Sequence, residues 1–127
     1  MSIQQVVHDF KDNIILFLDE LIEQFPSEAN FIMARIFLKD RVSPETIINV
    51  FIREVRSLKE DIAKRDEKVF LNNNLSLFNS FDKSTVNHFK VLWKSSSLDD
   101  DDKQVIWQWF DTFVYLSEQY QKLKPVE

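Results

Sequence analysis

The chain has 127 residues, 44% of them hydrophobic, which is enough to bury the core of one domain without a disulfide or a metal. It contains no glycine and no cysteine, which argues against tight hairpins, phosphate-cradling loops, thiolate catalysis and cysteine-based zinc sites. A net charge of −5 argues against nucleic-acid binding as the main task, because phosphate contacts need concentrated lysine and arginine.

The first predicted helix runs from about Ile3 to Phe25, with Ser2 as its N-cap. Its apolar residues recur at alternating steps of four and three, which is the spacing of one buried stripe: Ile3, Val7, Phe10, Ile14, Phe17 and Leu21. Pro26 ends this helix, because proline disfavours the helical conformation of the residue before it.

A second, shorter helix is predicted from about Glu28 to Lys39, with Ser27 as its cap. The stripe that we expect to face the core consists of Ile32, Met33, Ile36 and Phe37.

The sequence Ser43-Pro44-Glu45 is a strong start signal for a third helix, with a cap residue, a proline at the first helical position and an early acid. This helix is predicted to reach about Arg65, with an apolar stripe made of Ile48, Phe51, Val55, Leu58 and Ile62. Asn72, Asn73 and Asn74 mark a break. Residues 75–81 fit either a short helix or an extended linker packed on the core, and the conformation of 73–82 stays open.

A further helix is predicted from about Ser84 to Trp93, with Val86, Phe89 and either Leu92 or Trp93 facing inward. Residues 95–97 form a serine loop. Ser97 or Asp99 then caps the last helix, which is predicted to extend to about Lys122.

The last helix is apolar over much more than the usual arc. One stripe consists of Ile106, Trp109, Phe113, Leu116, Tyr120 and Leu123, and we expect it to lie in the core. A second face contains Trp107, Phe110 and Val114, with Tyr115 outside both stripes. Either this helix runs through the middle of the bundle or part of it faces another chain. We predict that Trp107, Phe110, Val114 and Tyr115 bind a partner, with Trp107 partly exposed in the monomer.

The polar residues of the sequence give no enzyme or metal signature. Asp99 to Asp102 lack the glycine-centred calcium loop, so we interpret them as acids that complement the positive end of the last helix. His8 and His88 lie on predicted helices without a metal-binding spacing, and both are predicted to be solvated. No nucleophile elbow is present. We therefore expect no catalytic residue, no metal, no cofactor and no small-molecule substrate.

The C-terminal third carries a resemblance. It contains Phe89-Lys90-Val91-Leu92-Trp93, a polar spacer, and then Lys103-Gln104-Val105-Ile106-Trp107-Gln108-Trp109. This pattern is similar to one in small uncharacterised helical proteins of large and giant DNA viruses, including algal viruses. It covers about 35 residues, and Trp109 stands where that pattern has tyrosine. The resemblance implies a viral origin and a helical fold, and it brings no catalytic residues.

Together these patterns predict an all-α fold: one domain, residues 1–127, as a compact bundle of about five or six helices with long, central first and last helices. The expected function is a non-catalytic protein–protein interaction module, virus-encoded as the resemblance implies, that binds a protein partner or itself through the aromatic last helix. A structural or virion assembly component is the alternative. No signal peptide or membrane span is predicted, and we expect a cytoplasmic location, in the host cytoplasm or the virion if the protein is viral.

Overall fold

The computed structural model describes residues 2–55, 58–67, 90–95 and 98–124. Within these ranges the chain forms helices and the turns that join them, and no strand occurs there. The helices make long-range contacts with one another and enclose a shared core. The predicted all-α bundle is therefore confirmed.

Six helical segments lie in the described ranges: α1 (Ile3–Gln24), α2 (Ala29–Arg41), α3 (Pro44–Val55), α4 (Lys59–Ala63), α5 (residues 90–94) and α6 (Asp100–Leu123). The first and last are the longest, with 22 and 24 residues, and they pack against each other. α1 also contacts α2 and α3, while α6 also contacts α3 and α4. The long terminal helices are thus central, as the sequence predicts.

Three of the predicted helix starts are confirmed by their hydrogen bonds. The Ser2 hydroxyl accepts from the amide of Gln5, and the Ser43 hydroxyl accepts from the amide of Thr46. Asp99 caps α6 in a reciprocal capping box with Asp102. These contacts satisfy amides that the first turn of a helix leaves without a partner, and they need only residues three positions apart.

The second helix starts differently from its prediction. Its N-cap residue is Glu28, not Ser27, and no side chain caps it by a hydrogen bond. The amide of Glu28 instead donates to the carbonyl of Phe25, so a backbone turn joins α1 to α2.

The centre of the core is a cluster of five phenylalanine rings. Phe113 of α6 lies 5.6–6.0 Å, between ring centroids, from each of the other four. Most of these pairs meet edge to face, which is a favourable arrangement of aromatic quadrupoles. We call this the phenylalanine cluster; it consists of Phe10 and Phe17 of α1, Phe51 of α3, and Phe110 and Phe113 of α6.

The helix predicted from position 44 to about Arg65 is two helices in the structure, α3 and α4. α4 ends at Ala63, and Arg65, two residues further on, has a left-handed φ of 59°. The amide of Arg65 donates to the carbonyl of Ile62, and that of Asp66 donates to the carbonyl of Asp61. These two bonds define a Schellman cap, in which the left-handed position usually belongs to glycine. A chain without glycine places an arginine there.

Some predictions lie outside the described residues. These are the break at Asn72–Asn74, the segment 75–81, and the beginning of the helix predicted from position 84. The end of that helix is described, because residues 90–94 are helical. Leu92 and Trp93 are both buried, so the two inward candidates both contribute to the core.

Candidate protein-binding surface

The predicted binding residues of the last helix are mostly core residues. Only 4% of Trp107 is exposed, and Phe110 is also buried. Val114 is half-buried and packs against the core, whereas 55% of Tyr115 is exposed. The prediction that Trp107 is partly exposed in the monomer is therefore wrong. The four residues do not form a shared apolar surface.

Trp107 is buried, and two of the groups that cover it come from other segments of the chain. The ring of Trp93 in α5 meets it edge to face, with centroids 5.7 Å apart. The guanidinium of Arg65 lies over the Trp107 ring, 5.7 Å from its centroid, a favourable cation–π geometry. The second apolar face of α6 is therefore covered within the chain at Trp107 and Phe110, while the side that carries Val105 and Tyr115 is exposed.

Arg65 is held in this position by a two-pronged ion pair with α6. Its Nη1 and Nη2 donate to Asp111 Oδ1 and Oδ2, at 2.7 and 2.6 Å. The hydrogen bond to Asp111 raises the pKa of Arg65 above its ordinary value, despite some desolvation, so the guanidinium stays charged. A second cation–π contact lies nearby, with Lys103 Nζ 5.2 Å from the centroid of the Trp93 ring. Lys103 also forms an ion pair with Glu67.

The contiguous apolar surface lies on α2 instead. The stripe that the sequence predicts to be buried is exposed, and the opposite face of the helix packs on the core. Phe31, Ala34 and Leu38 form that buried face, so the predicted orientation of this helix is wrong. The exposed residues, which we call the α2 face, are Ile32, Met33, Ile36 and Phe37.

Polar contacts with α1 fix the orientation of α2. Arg35 forms an ion pair and hydrogen bond with Asp19. Lys11 Nζ donates to the backbone carbonyls of Lys39 and Val42, each at 2.9 Å. A lysine from another helix thus caps the C-terminus of α2, where the negative end of the helix dipole favours a cation.

A signal for this orientation is present in the sequence. Phe31, Ala34 and Leu38 follow one another at steps of three and four, so they form a second helical stripe. Helical periodicity shows that both faces of α2 carry apolar residues, but it does not show which of the two faces is buried. Which face is buried depends on the contacts of α2 with α1, among them the ion pair and the lysine cap, and these come from residues distant in sequence.

The exposed apolar area of the α2 face is comparable to that of functional patches on other proteins. Its exposed fractions run from 39% for Ile32 and Phe37 to 64% for Met33. These fractions amount to about two whole side chains, or on the order of 400 Å² at roughly 200 Å² for each large apolar residue. Contiguous apolar patches of about this size are the largest that monomeric proteins normally carry, and they are often functional.

A second surface feature is a shallow hollow between α1 and α6. It has a volume of about 70 Å³ and includes Phe17, Glu20, Asp102 and Trp109 in its lining. The Trp109 indole Nε1 donates to Glu20 Oε2 at 2.6 Å across its rim. Ligand pockets are typically about 300–1,000 Å³, so this hollow has room for little more than water.

The remaining polar candidates are placed as follows. Asp99 and Asp102 form the capping box of α6, which accounts for part of the acidic run. His8 is exposed, as predicted, and His88 lies outside the described residues. In the described part of the chain, no three histidine or acidic residues are grouped to hold a metal ion. None of the helices described there combines the length and apolar character that crossing a bilayer requires.

Comparisons of the chain with protein families, with curated proteins and with solved structures found no match.

Proposed function

We propose that this protein is a non-catalytic protein–protein interaction module that binds through the α2 face. The observation that supports the proposal is the exposure of four large apolar side chains, side by side, on a helix whose other face is already buried. The aromatic residues of α6, to which the sequence first assigns this role, have their largest side chains in the core.

The α2 face differs from the scattered exposed apolar residues of the same structure. Val91 on α5 and Tyr115 on α6 are as exposed as members of the α2 face. Among the described residues they lie singly on other helices, and single apolar residues on a surface are normal. On α2, steps of one, three and one place the four residues on neighbouring positions of one helix surface. A helix partner or an apolar groove recognises this arrangement.

The test compares Met33→Lys with Val91→Lys. Both side chains are 64% exposed, so both variants add the same charge at positions of equal exposure. Affinity capture from candidate host cells, with light scattering of the pure protein, measures association. We expect Met33→Lys to abolish association and Val91→Lys to preserve it, with unchanged melting temperatures for both. Equal binding by the two variants would show that the α2 face is not the binding surface.

The alternative is a structural or virion assembly component, which binds through the same kind of apolar surface but forms extended assemblies. Open polymers whose length grows with concentration would favour this alternative, and a complex of defined size would favour the module. A viral origin and a location in the host cytoplasm or virion remain proposals, supported by the resemblance of the C-terminal third.

A further inference from the structure

We propose that residues 58–67 form a salt-sensitive strap, which opens from α6 as one unit while the long helices stay folded. We call this segment the α4 strap; it consists of α4 and the residues on either side of it. This conformational change is separate from binding at the α2 face. Three observations support it: the ion pairs with α6, the small apolar contact of the segment, and the position of Arg65.

Ion pairs hold the α4 strap against α6 in antiparallel order. Three of them join described residues, and the partner on α6 lies earlier in the chain as the strap residue lies later. The pairs are Lys59–Glu118 at 3.6 Å, Arg65–Asp111 at 2.6 Å and Glu67–Lys103 at 3.5 Å. The segment is therefore held along its length, from residue 59 to residue 67, and not only at one end.

All six charged side chains of these pairs keep contact with solvent. Their exposed fractions run from 23% to 53%. Dissolved ions weaken such pairs, because salt screens exposed charges more strongly than buried ones. An exposed pair typically changes an equilibrium constant by less than about fivefold, so three pairs together contribute on the order of tenfold. Salt therefore shifts the balance between the closed and the open strap by an amount that can be measured.

The apolar contact that holds the strap is small. The five residues of α4 include one buried side chain, Ile62, and Leu58 is half-buried against the core. By comparison, α1 has six buried residues among its 22. A segment with few buried apolar side chains opens more readily than the long helices, because local stability follows buried apolar contact. We therefore expect the strap to open without the unfolding of α1 and α6.

Arg65 couples the end of the strap to α6 and to Trp107. Its Nη1 donates to the carbonyl of Ile62 at 3.2 Å and to Asp111 Oδ1 at 2.7 Å. The same guanidinium lies over the Trp107 ring. Because one side chain makes all three contacts, loss of the pair with Asp111 loosens them together, and the strap opens as a unit. Opening takes the guanidinium off Trp107 and so removes one of the groups that cover this ring.

Amide hydrogen exchange of the full chain, followed by NMR, measures the opening. The amides of Ile62, Lys64, Arg65 and Asp66 donate to backbone carbonyls within the strap, so opening is needed for them to exchange. We expect one common opening rate for these amides, at least about tenfold faster than for amides in the middle of α1 and α6. Raising sodium chloride from about 0.05 to about 1 M should increase exchange in the strap about threefold to tenfold, with the α1 amides changing less than about twofold.

Three results of this experiment would each overturn the proposal. Strap amides that exchange no faster than those of α1 and α6 would show that the segment opens only when the whole bundle unfolds. Faster exchange that does not respond to salt would show that the ion pairs do not hold it. Unequal opening rates among its amides would show fraying instead of opening as one unit.

The variants Asp111→Asn and Asp19→Asn separate the ion pairs of the strap from an ion pair elsewhere. Each removes the acid of an arginine pair of similar exposure, 49% for Asp111 and 44% for Asp19. Asp111→Asn should raise exchange in the strap about threefold to fivefold and reduce its response to salt. Asp19→Asn, whose pair with Arg35 joins α1 to α2, should leave the strap unchanged. Melting temperatures check that both variants fold, and an equal effect of the two on the strap contradicts the proposal.

A charge exchange tests the other end of the strap. Lys59→Glu places two acids side by side and should raise exchange in the strap about twofold to fivefold. Adding Glu118→Lys restores opposite charges and should return the rate toward that of wild type. A double variant that opens as fast as Lys59→Glu alone would show that this ion pair does not close the strap, and the proposed role of the antiparallel pairs would fail.

Discussion

The core contains two aromatic regions that are built by different means. In the phenylalanine cluster, rings from α1, α3 and α6 pack on one another, on the indole of Trp109 and on aliphatic neighbours. In the second region, which we call the tryptophan pair, Trp93 and Trp107 meet edge to face, and a cation lies over each ring. Both regions exclude water, but only the second depends on charged side chains from the surface.

This difference follows from what each region has to join. The phenylalanine cluster joins three helices of 12 to 24 residues, whose long apolar stripes supply several layers of side chains. The tryptophan pair joins α6 to α5 and to the five-residue α4, which offers Ile62 as its buried side chain. A short helix cannot cover an indole ring with aliphatic groups alone. The flat guanidinium of Arg65 completes the cover while its charge is satisfied by Asp111.

The most severe test of the tryptophan pair is Trp107→Lys. We expect a loss of more than about 5 kcal/mol in the free energy of unfolding, because a buried ring is removed and a buried charge is left near Arg65 and Lys103. Thermal unfolding measures it, with Tyr115→Lys on the exposed side of the same helix as the control, expected within about 0.5 kcal/mol of wild type. A well-folded Trp107→Lys protein would mean that this position is not core.

The phenylalanine cluster is tested at its centre. Truncation of Phe113 to alanine should cost about 3–5 kcal/mol, because four neighbouring rings lose their common contact and a cavity remains. Denaturant unfolding gives this value, and it should not change with salt, since no charge takes part. A loss below about 1 kcal/mol, or a clear salt dependence, would remove the contrast between the two regions.

The smallest predicted effect concerns the backbone of Arg65. Arg65→Ala and Arg65→Gly both remove the ion pair and the cation–π contact, so both should be less stable than wild type. They differ in backbone freedom, because only glycine adopts the left-handed conformation without steric cost. We expect the glycine variant to be more stable than the alanine variant by about 1 kcal/mol in denaturant unfolding. Equal stability of the two would show that the left-handed cap is not under strain.

The caps were predictable because they are local. Ser2, Ser43 and Asp99 each accept a hydrogen bond from an amide three residues ahead, so nothing distant in sequence is needed. The cap of α2 was not predictable in this way. Its N-terminus follows a backbone turn at Phe25, and its C-terminal carbonyls are bonded by Lys11 of another helix.

The candidate binding surface was less predictable than the fold. Sequence periodicity predicts more than one apolar face on α6 and a single apolar stripe on α2, so it assigns the surplus face to α6. In the structure, α1, α3, α4 and Trp93 contact α6, and Trp107 and Phe110 of its second face are buried. α2 contacts α1 along one side, so its second face remains exposed.

The sequence by itself determines that this chain is helical, where its first, third and last helices begin, and which stripe of α1 and, except for the exposed Leu123, which stripe of α6 enters the core. Those properties depend on backbone preferences, on hydrogen bonds three residues apart, and on a period that one helix carries alone. Tertiary structure decides which face of α2 is buried, that Trp107 lies inside, and that Arg65 adopts a left-handed conformation. Each of these depends on a distant partner, Asp19, Trp93 or Asp111, and no local pattern specifies which apolar face such a partner will cover.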